Sequence, residues 1–281
     1  ILAMLLVTAY PILYAVWLSL HRYDLRFPDE RAFVGLANYA SVLTSEVWWR
    51  SLYNTLLITA GSVAIELVLG FALALVMHRT LFGRVAVRAA ALVPYAIITV
   101  VAALAWRFAF DPTTGFVNGL LGLDQVWLSE RWSAFVVIIA AEVWKTTPFM
   151  ALLLLAGLTL VPPDVLRAAR VDGASAWQRV WRVTLPLMKP AVLVALLFRT
   201  LDAFRIFDTV YVLTRGAQDT ESVSILAYQA LIARLNLGLG SAVSVLIFLA
   251  TMGIALLYLR AFRPSLLARE GGRDLVGEIR S

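Results

Sequence analysis

The chain has 281 residues, 61% of them hydrophobic and only 15% charged, with a net charge of +6. Soluble domains carry roughly 45–50% apolar and about 25% charged residues, so this excess of apolar surface requires lipid and not a larger core. There is no cysteine, and the two histidines, His21 and His78, lie far apart, which excludes a disulfide framework, a thiol metal site and a histidine metal cluster.

Six segments approach the roughly 20 apolar residues that cross a bilayer: 1–20, 54–77, 88–110, 134–160, 190–213 and 242–262. Lipid offers nothing to a bare backbone, so each is expected to be helical. The expected fold is an all-α membrane protein of about six transmembrane helices, with 1–262 as the transmembrane domain and 263–281 as a cytoplasmic tail. The first segment starts in mid-span and lacks a basic n-region and a small-residue cleavage site. It reads as a span and not as a signal peptide, with a cytoplasmic tail expected ahead of it. Pro11, Pro94 and Pro148 fall inside spans and mark kinks. Residues 33–52 carry apolar side chains at near-helical spacing. They read as an interfacial helix with Trp48 and Trp49 in the aromatic belt, and equally as part of a docking surface for an external partner.

Arginine and lysine divide unevenly between the two sides. The 78–88 loop, the 161–190 loop and the tail hold thirteen, and the opposite loops hold eight together with nine acids. The positive-inside rule places the richer side, and with it both termini, in the cytoplasm. This is the expected role of the positive charge, and no basic run interleaved with aromatics points to nucleic acid.

The loop from Val161 to Pro190 is too elaborate to be a plain connector. Pro162 and Pro163 stop the fourth span, and Asp164 is expected to cap a short helix over 165–172. Ala168 and Ala169 keep it slim, and Gly173 permits a turn that other residues resist. A second helix follows, with Trp177, Val180, Trp181 and Thr184 on one face. Leu185-Pro186 is expected to end it and feed the fifth span. The result is a rigid knob whose backbone another protein can approach closely.

This loop resembles the "EAA" signature of permeases in binding-protein-dependent ABC importers. Ala168, Ala169, Asp172, Gly173, Val183, Leu185 and Pro186 stand in register with it, and Arg167 stands where the family usually has Glu. "FVGLANYASVL", "SLYNTLLIT" and "DAFRIFDTVYVLTRGAQDTES" are similar to the carbohydrate branch, although Arg215-Gly216-Ala217 replaces the frequent Gly-Gly-Pro. The resemblance implies a bacterial cytoplasmic-membrane permease for a sugar, and the arginine- and alanine-rich composition suggests an actinobacterial disaccharide importer, with trehalose the expected cargo. It also implies the partners: a second permease subunit, two ATP-binding subunits carrying ATP and Mg, and an extracytoplasmic substrate-binding lipoprotein. The coupling contact would involve Arg167, Ala168, Ala169, Asp172, Gly173, Leu185 and Pro186. No G-x-x-x-x-G-K-[ST] occurs, so the chain itself is expected to bind no ATP, to hold no cofactor and to catalyse nothing.

Charged residues within spans are costly and mark function or pairing. Glu142 and Lys145 share a helix face, as do Arg199 and Asp202. Carboxylates, guanidinium forks and an aromatic face are what a sugar needs. By position in the family pattern, around Trp144 and Pro148 and after Leu185-Pro186, the pocket would comprise Glu142, Thr146, Phe149, Arg199, Asp202, Ala203 and Ile206. The competing structural reading is an ion-pair network stapling spans four and five. Glu66 stands alone and is assigned to helix–helix hydrogen bonding or a protonated state. Two other classes of function remain at this level. One is a proton-coupled secondary transporter using Glu66, Glu142 and Asp202, for which no inverted repeat is visible. The other is a membrane enzyme, for which no nucleophile–base constellation exists.

Overall fold

A computed structural model describes the backbone of residues 2–79 and 83–278, and the side chains of residues 7–79, 83 and 85–261. The helices in chain order are α1 (Leu2–Ser19), α2 (Ala37–Leu43), α3 (Glu46–Arg79), α4 (Arg84–Ala96), α5 (Thr99–Ala109), α6 (Val117–Leu121), α7 (Arg131–Thr159), α8 (Pro163–Val171), α9 (Ala176–Arg179), α10 (Leu185–Phe204), α11 (Asp208–Leu213), α12 (Val223–Tyr228) and α13 (Leu237–Glu278). The only sheet among the described residues is a two-stranded antiparallel ribbon, β1 (His21–Arg22) against β2 (Ala32–Phe33), pairing His21 with Phe33.

The expected six spans are not all recovered as single helices. Among the described residues four stretches are long and apolar enough to cross a membrane: Glu46–Arg79, Arg131–Thr159, Ala176–Leu213 and Leu237–Ala261. The expected 88–110 span is instead a pair, Val85–Ala96 and Thr99–Ala109, bent by 83°, and α1 runs from Leu2 to Ser19 within the expected first span. The bend has a local cause. Ile97 and Ile98 are extended (ψ 136° and 132°), in a β-branched run that follows Pro94 and pays for helix in side-chain freedom.

The chain divides into two compact units. The first comprises residues 1–61, 98–142 and 202–252. Its core gathers Ile58 of α3, Phe135 and Ile138 of α7, Ile206, Val210 of α11 and Ile225 of α12. At the start of α3, Trp48 is buried while Trp49 is exposed and donates Nε1–H to the Leu43 carbonyl at 2.8 Å. Only Trp49 is therefore placed for an aromatic belt, because adjacent helical residues point to different sides. The fifth span is also interrupted, at 205–207, where Ser222 Oγ donates to the freed Ile206 carbonyl (3.0 Å).

The second unit comprises residues 62–97, 143–201 and 253–281. Met77, Met150, Leu154, Met188 and Ala195 are fully buried in it. Gly157 of α7 brings that helix close to α10: a Cβ there would collide with the Cβ of Ala191. Small residues at such crossings are how helices pack where the hydrophobic effect no longer drives them together.

Candidate functional site

In the second unit, the expected knob is formed by α8 and α9. α8 begins differently from the sequence expectation. Pro162 is the capping residue, with extended backbone, and Pro163 occupies the first helical position, so Asp164 makes no cap hydrogen bond. Its carboxylate pairs instead with Arg167 one turn on, and both remain largely exposed. Such a surface pair is worth only about 0–1 kcal/mol, so Arg167 is available to another partner.

The end of α8 is built from backbone bonds. Ala174 N–H donates to the Ala169 carbonyl at 2.9 Å and Gly173 N–H to the Arg170 carbonyl at 3.1 Å. This is the paired closure that requires a left-handed residue between them, and Gly173 has φ +80° with nothing within 4 Å of where a Cβ would point. One residue later a capping box opens α9: Gln178 N–H donates to Ser175 Oγ (3.3 Å) and Ser175 N–H to Gln178 Oε1 (2.8 Å). Ala168, Gly173 and Val171 are exposed. The knob is thus a tight, open-faced turn. Leu185-Pro186 does not end the second helix as expected. A wide turn over Val180–Thr184, closed by Leu185 N–H on the Val180 carbonyl, carries it into α10. Pro186 has no N–H to satisfy, and the widened turn before it relieves the ring's clash with the preceding carbonyls.

Deeper in the same unit, Glu66 is not alone. Arg199 Nε donates to Glu66 Oε2 at 2.5 Å and Arg199 Nη2 to Oε1 at 2.9 Å, and Thr146 Oγ1 donates to Oε1 at 2.7 Å. All three residues are buried. Phe149 stacks on Tyr95 with ring centroids 5.3 Å apart, and the Lys145 ammonium lies 5.3 Å from the Tyr95 ring. An aromatic face beside a cation is thereby set on α7 and α4.

In the first unit, Glu142 accepts a short hydrogen bond from Thr209 Oγ1. Ala203 and Ile206 are buried, Ile206 within the core, whereas Asp202 is exposed. The loop 214–222 is held by Asn54, whose Nδ2 donates to the carbonyls of Asp219 (2.8 Å) and Glu221 (3.0 Å) while Arg131 donates to its Oδ1 (3.1 Å). Arg215, Gln218 and Asp219 all have positive φ, left-handed turns that Asn54 anchors from α3. Burial pushes the Glu221 carboxyl above the ordinary carboxylate range, against the pull of Arg234 and Arg50. Asn54→Ala removes both anchors from these part-buried carbonyls, a cost of about 1–3 kcal/mol. It is expected to speed tryptic cleavage at Arg215 in the folded protein.

Of the seven residues expected around the sugar, Thr146, Phe149 and Arg199 lie in the second unit and Glu142, Asp202, Ala203 and Ile206 in the first. Thr146 and Arg199 come together on Glu66. The sequence reading missed Tyr95, Thr209 and the Glu66–Arg199 pairing. Only the last had a signal, in the cost of two charges at membrane depth.

Residues 51–266 match the family model described as the binding-protein-dependent transport system inner membrane component. The chain is 58% identical over 259 residues to the trehalose transport system permease protein SugA of Mycobacterium tuberculosis, spanning 92% of this chain and 84% of that one. It is 43% identical over 262 residues to the trehalose/maltose transport system permease protein MalF of Thermococcus litoralis, spanning 90% and 87%. A chain in the crystal structure of a bacterial ABC transporter involved in the import of the acidic polysaccharide alginate matches with a TM-score of 0.81 at 22% identity, covering 94% of this chain and 92% of that one. At that identity the likeness speaks to the fold.

Proposed function

Because the chain belongs to the binding-protein-dependent family of inner-membrane transport permeases, we propose that it carries a sugar, a disaccharide such as trehalose, into the cytoplasm. The sugar reading rests on one observation, the identity to the trehalose permease across nine-tenths of the chain. The family assignment supports this reading over the proton-coupled and membrane-enzyme alternatives.

In this reading an extracytoplasmic binding protein delivers the sugar, a second permease completes the pathway, and two ATP-binding subunits supply ATP and Mg. Both termini and the 161–190 loop are cytoplasmic. The knob docks on an ATP-binding subunit through Arg167, Ala168, Ala169, Asp172 and Gly173, with Leu185 and Pro186 joining it to α10. Two features support this: the knob is exposed, and its turn is tied by the Ala174–Ala169 and Gly173–Arg170 backbone bonds and the Ser175–Gln178 capping box, so it can bear on a partner with little deformation. With Arg in place of the usual Glu, the groove that receives it is expected to carry a compensating acid. For the cargo, Asp202 offers an exposed carboxylate in the first unit, and Phe149, backed by Tyr95, an aromatic face in the second. Glu142, Thr146, Arg199, Ala203 and Ile206 support these surfaces.

The test is uptake of labelled trehalose by a strain lacking this gene. Saturable uptake is expected to disappear and to return with the gene; uptake indifferent to its loss rules out the sugar reading. Replacing Phe149 by Ala is expected to raise the half-saturating concentration for the complex by roughly two- to tenfold, the worth of an aromatic contact.

A further inference from the structure

Two cavities in the second unit, neither used above, share a wall. One is an apolar groove of about 580 Å³, within the range of small-molecule sites. Its sides are Leu67, Phe71 and Leu75 of α3 facing Val180, Leu185 and Val192. Its rim carries Trp177 and Trp181, in edge contact with centroids 5.3 Å apart, the residue type that sits at a bilayer's headgroup level. The other is a smaller cavity of about 180 Å³ bordered by four basic side chains: His78 and Arg79 at the end of α3, Arg170 of α8 and Arg179 of α9. Leu75, Arg79, Ala176 and Val180 line both. The two cavities therefore form one amphipathic site, apolar along its length and cationic at one end.

We propose that this site holds an anionic phospholipid, with an acyl chain along the groove and the phosphate among Arg79, Arg170 and Arg179. Charge complementarity selects this occupant. Among the described residues Arg79 is the only charged one along the groove, and the cationic groups gather where the groove meets the turn between α8 and α9. A free phosphate would leave the groove bare, and an apolar helix would leave the cations unmatched. The cytoplasmic leaflet is where anionic headgroups concentrate, so the proposal rests on the cytoplasmic placement of this loop. The lipid would bridge α3 and the knob, making coupling sensitive to membrane composition.

The test uses the assembled complex, exchanged into bilayers containing phosphatidylglycerol or phosphatidylcholine alone, with retained lipid counted by native mass spectrometry. Wild type is expected to retain phosphatidylglycerol selectively. Arg79→Gln and Arg179→Gln should each weaken retention by about fivefold, the usual worth of one basic residue against an anionic surface, and Arg79→Lys should restore most of it. A photoreactive residue at the exposed position of Val68 should cross-link to lipid. Equal retention of the two lipids, retention indifferent to both Gln variants, full displacement by excess inorganic phosphate, or a Val68 cross-link to protein would each overturn the proposal. Ala168→Phe, which adds bulk without charge on the exposed face of α8 and lines neither cavity, should leave retention unchanged, so failure of the lipid site and failure of the coupling role are read separately.

Discussion

Gly173→Asp is expected to leave the protein in the membrane at near wild-type abundance while reducing uptake by at least tenfold. The two effects separate because their sources do. Holding a non-glycine residue at φ +80° costs about 1–2 kcal/mol, and a carboxylate at the end of α8 adds about 0.3–1 kcal/mol against the helix dipole. Against a typical stability of about 5–15 kcal/mol this does not unfold a chain. Nor does the new side chain strike anything within the protein, since the space beyond Gly173 is open. It protrudes instead on the face proposed to meet the ATP-binding subunit. Gly173→Ala carries the strain without the charge or reach and is expected to retain most uptake. Normal uptake in Gly173→Asp would show that the knob does not couple ATP to transport.

The second large effect concerns Glu66 and Arg199. Removing one member of a buried pair leaves the other charge unmatched, at a cost of about 3–5 kcal/mol. Glu66→Ala and Arg199→Ala are each expected to lower the thermal midpoint of the purified complex sharply and to reduce its amount in the membrane. Glu66→Leu combined with Arg199→Met removes both charges, which is often neutral or better, and is expected to recover most of the lost stability. Uptake by the recovered double variant then separates two roles. If it transports normally, the pair is a staple between α3 and α10. If it is stable but inactive, the charges serve transport. A single variant with an unchanged midpoint would contradict the buried geometry itself.

These residues also show how far the sequence could be read. The knob was legible because its determinants are local: adjacent alanines, a glycine that alone tolerates its backbone angle, and prolines that stop the preceding span. The same logic extends to Ser175 and Gln178, whose capping-box spacing is plain in the sequence but was not read from it. Asp164 does not cap because Pro163 takes the first helical position and moves the start of α8 forward by two, leaving the carboxylate past the cap. Pro186 was misread because a proline normally ends a helix, and the wide turn that accommodates it leaves no mark in apolar periodicity. The partnership of Glu66 with Arg199 spans 133 positions, and periodicity carries no information about which helix faces which. The exposure of Asp202 and the burial of Ile206 were illegible for the same reason. The bend at Ile97–Ile98 lay between these cases: Pro94 marked the neighbourhood, but the break fell downstream, where β-branched residues cluster.

The wide turn at Val180–Thr184 also limits how this stretch of chain can change over evolutionary time. It inserts one extra residue into an otherwise continuous helical rod running from the knob to Arg199, a distance of roughly 35 Å at 1.5 Å per residue. Losing that residue would restore a regular helix and rotate the knob by about 100° about the rod axis relative to Arg199. No side-chain repacking nearby could undo the rotation. The segment should therefore accept many substitutions yet tolerate no change in length, since its residue count, more than its composition, sets the angular phase between the two ends.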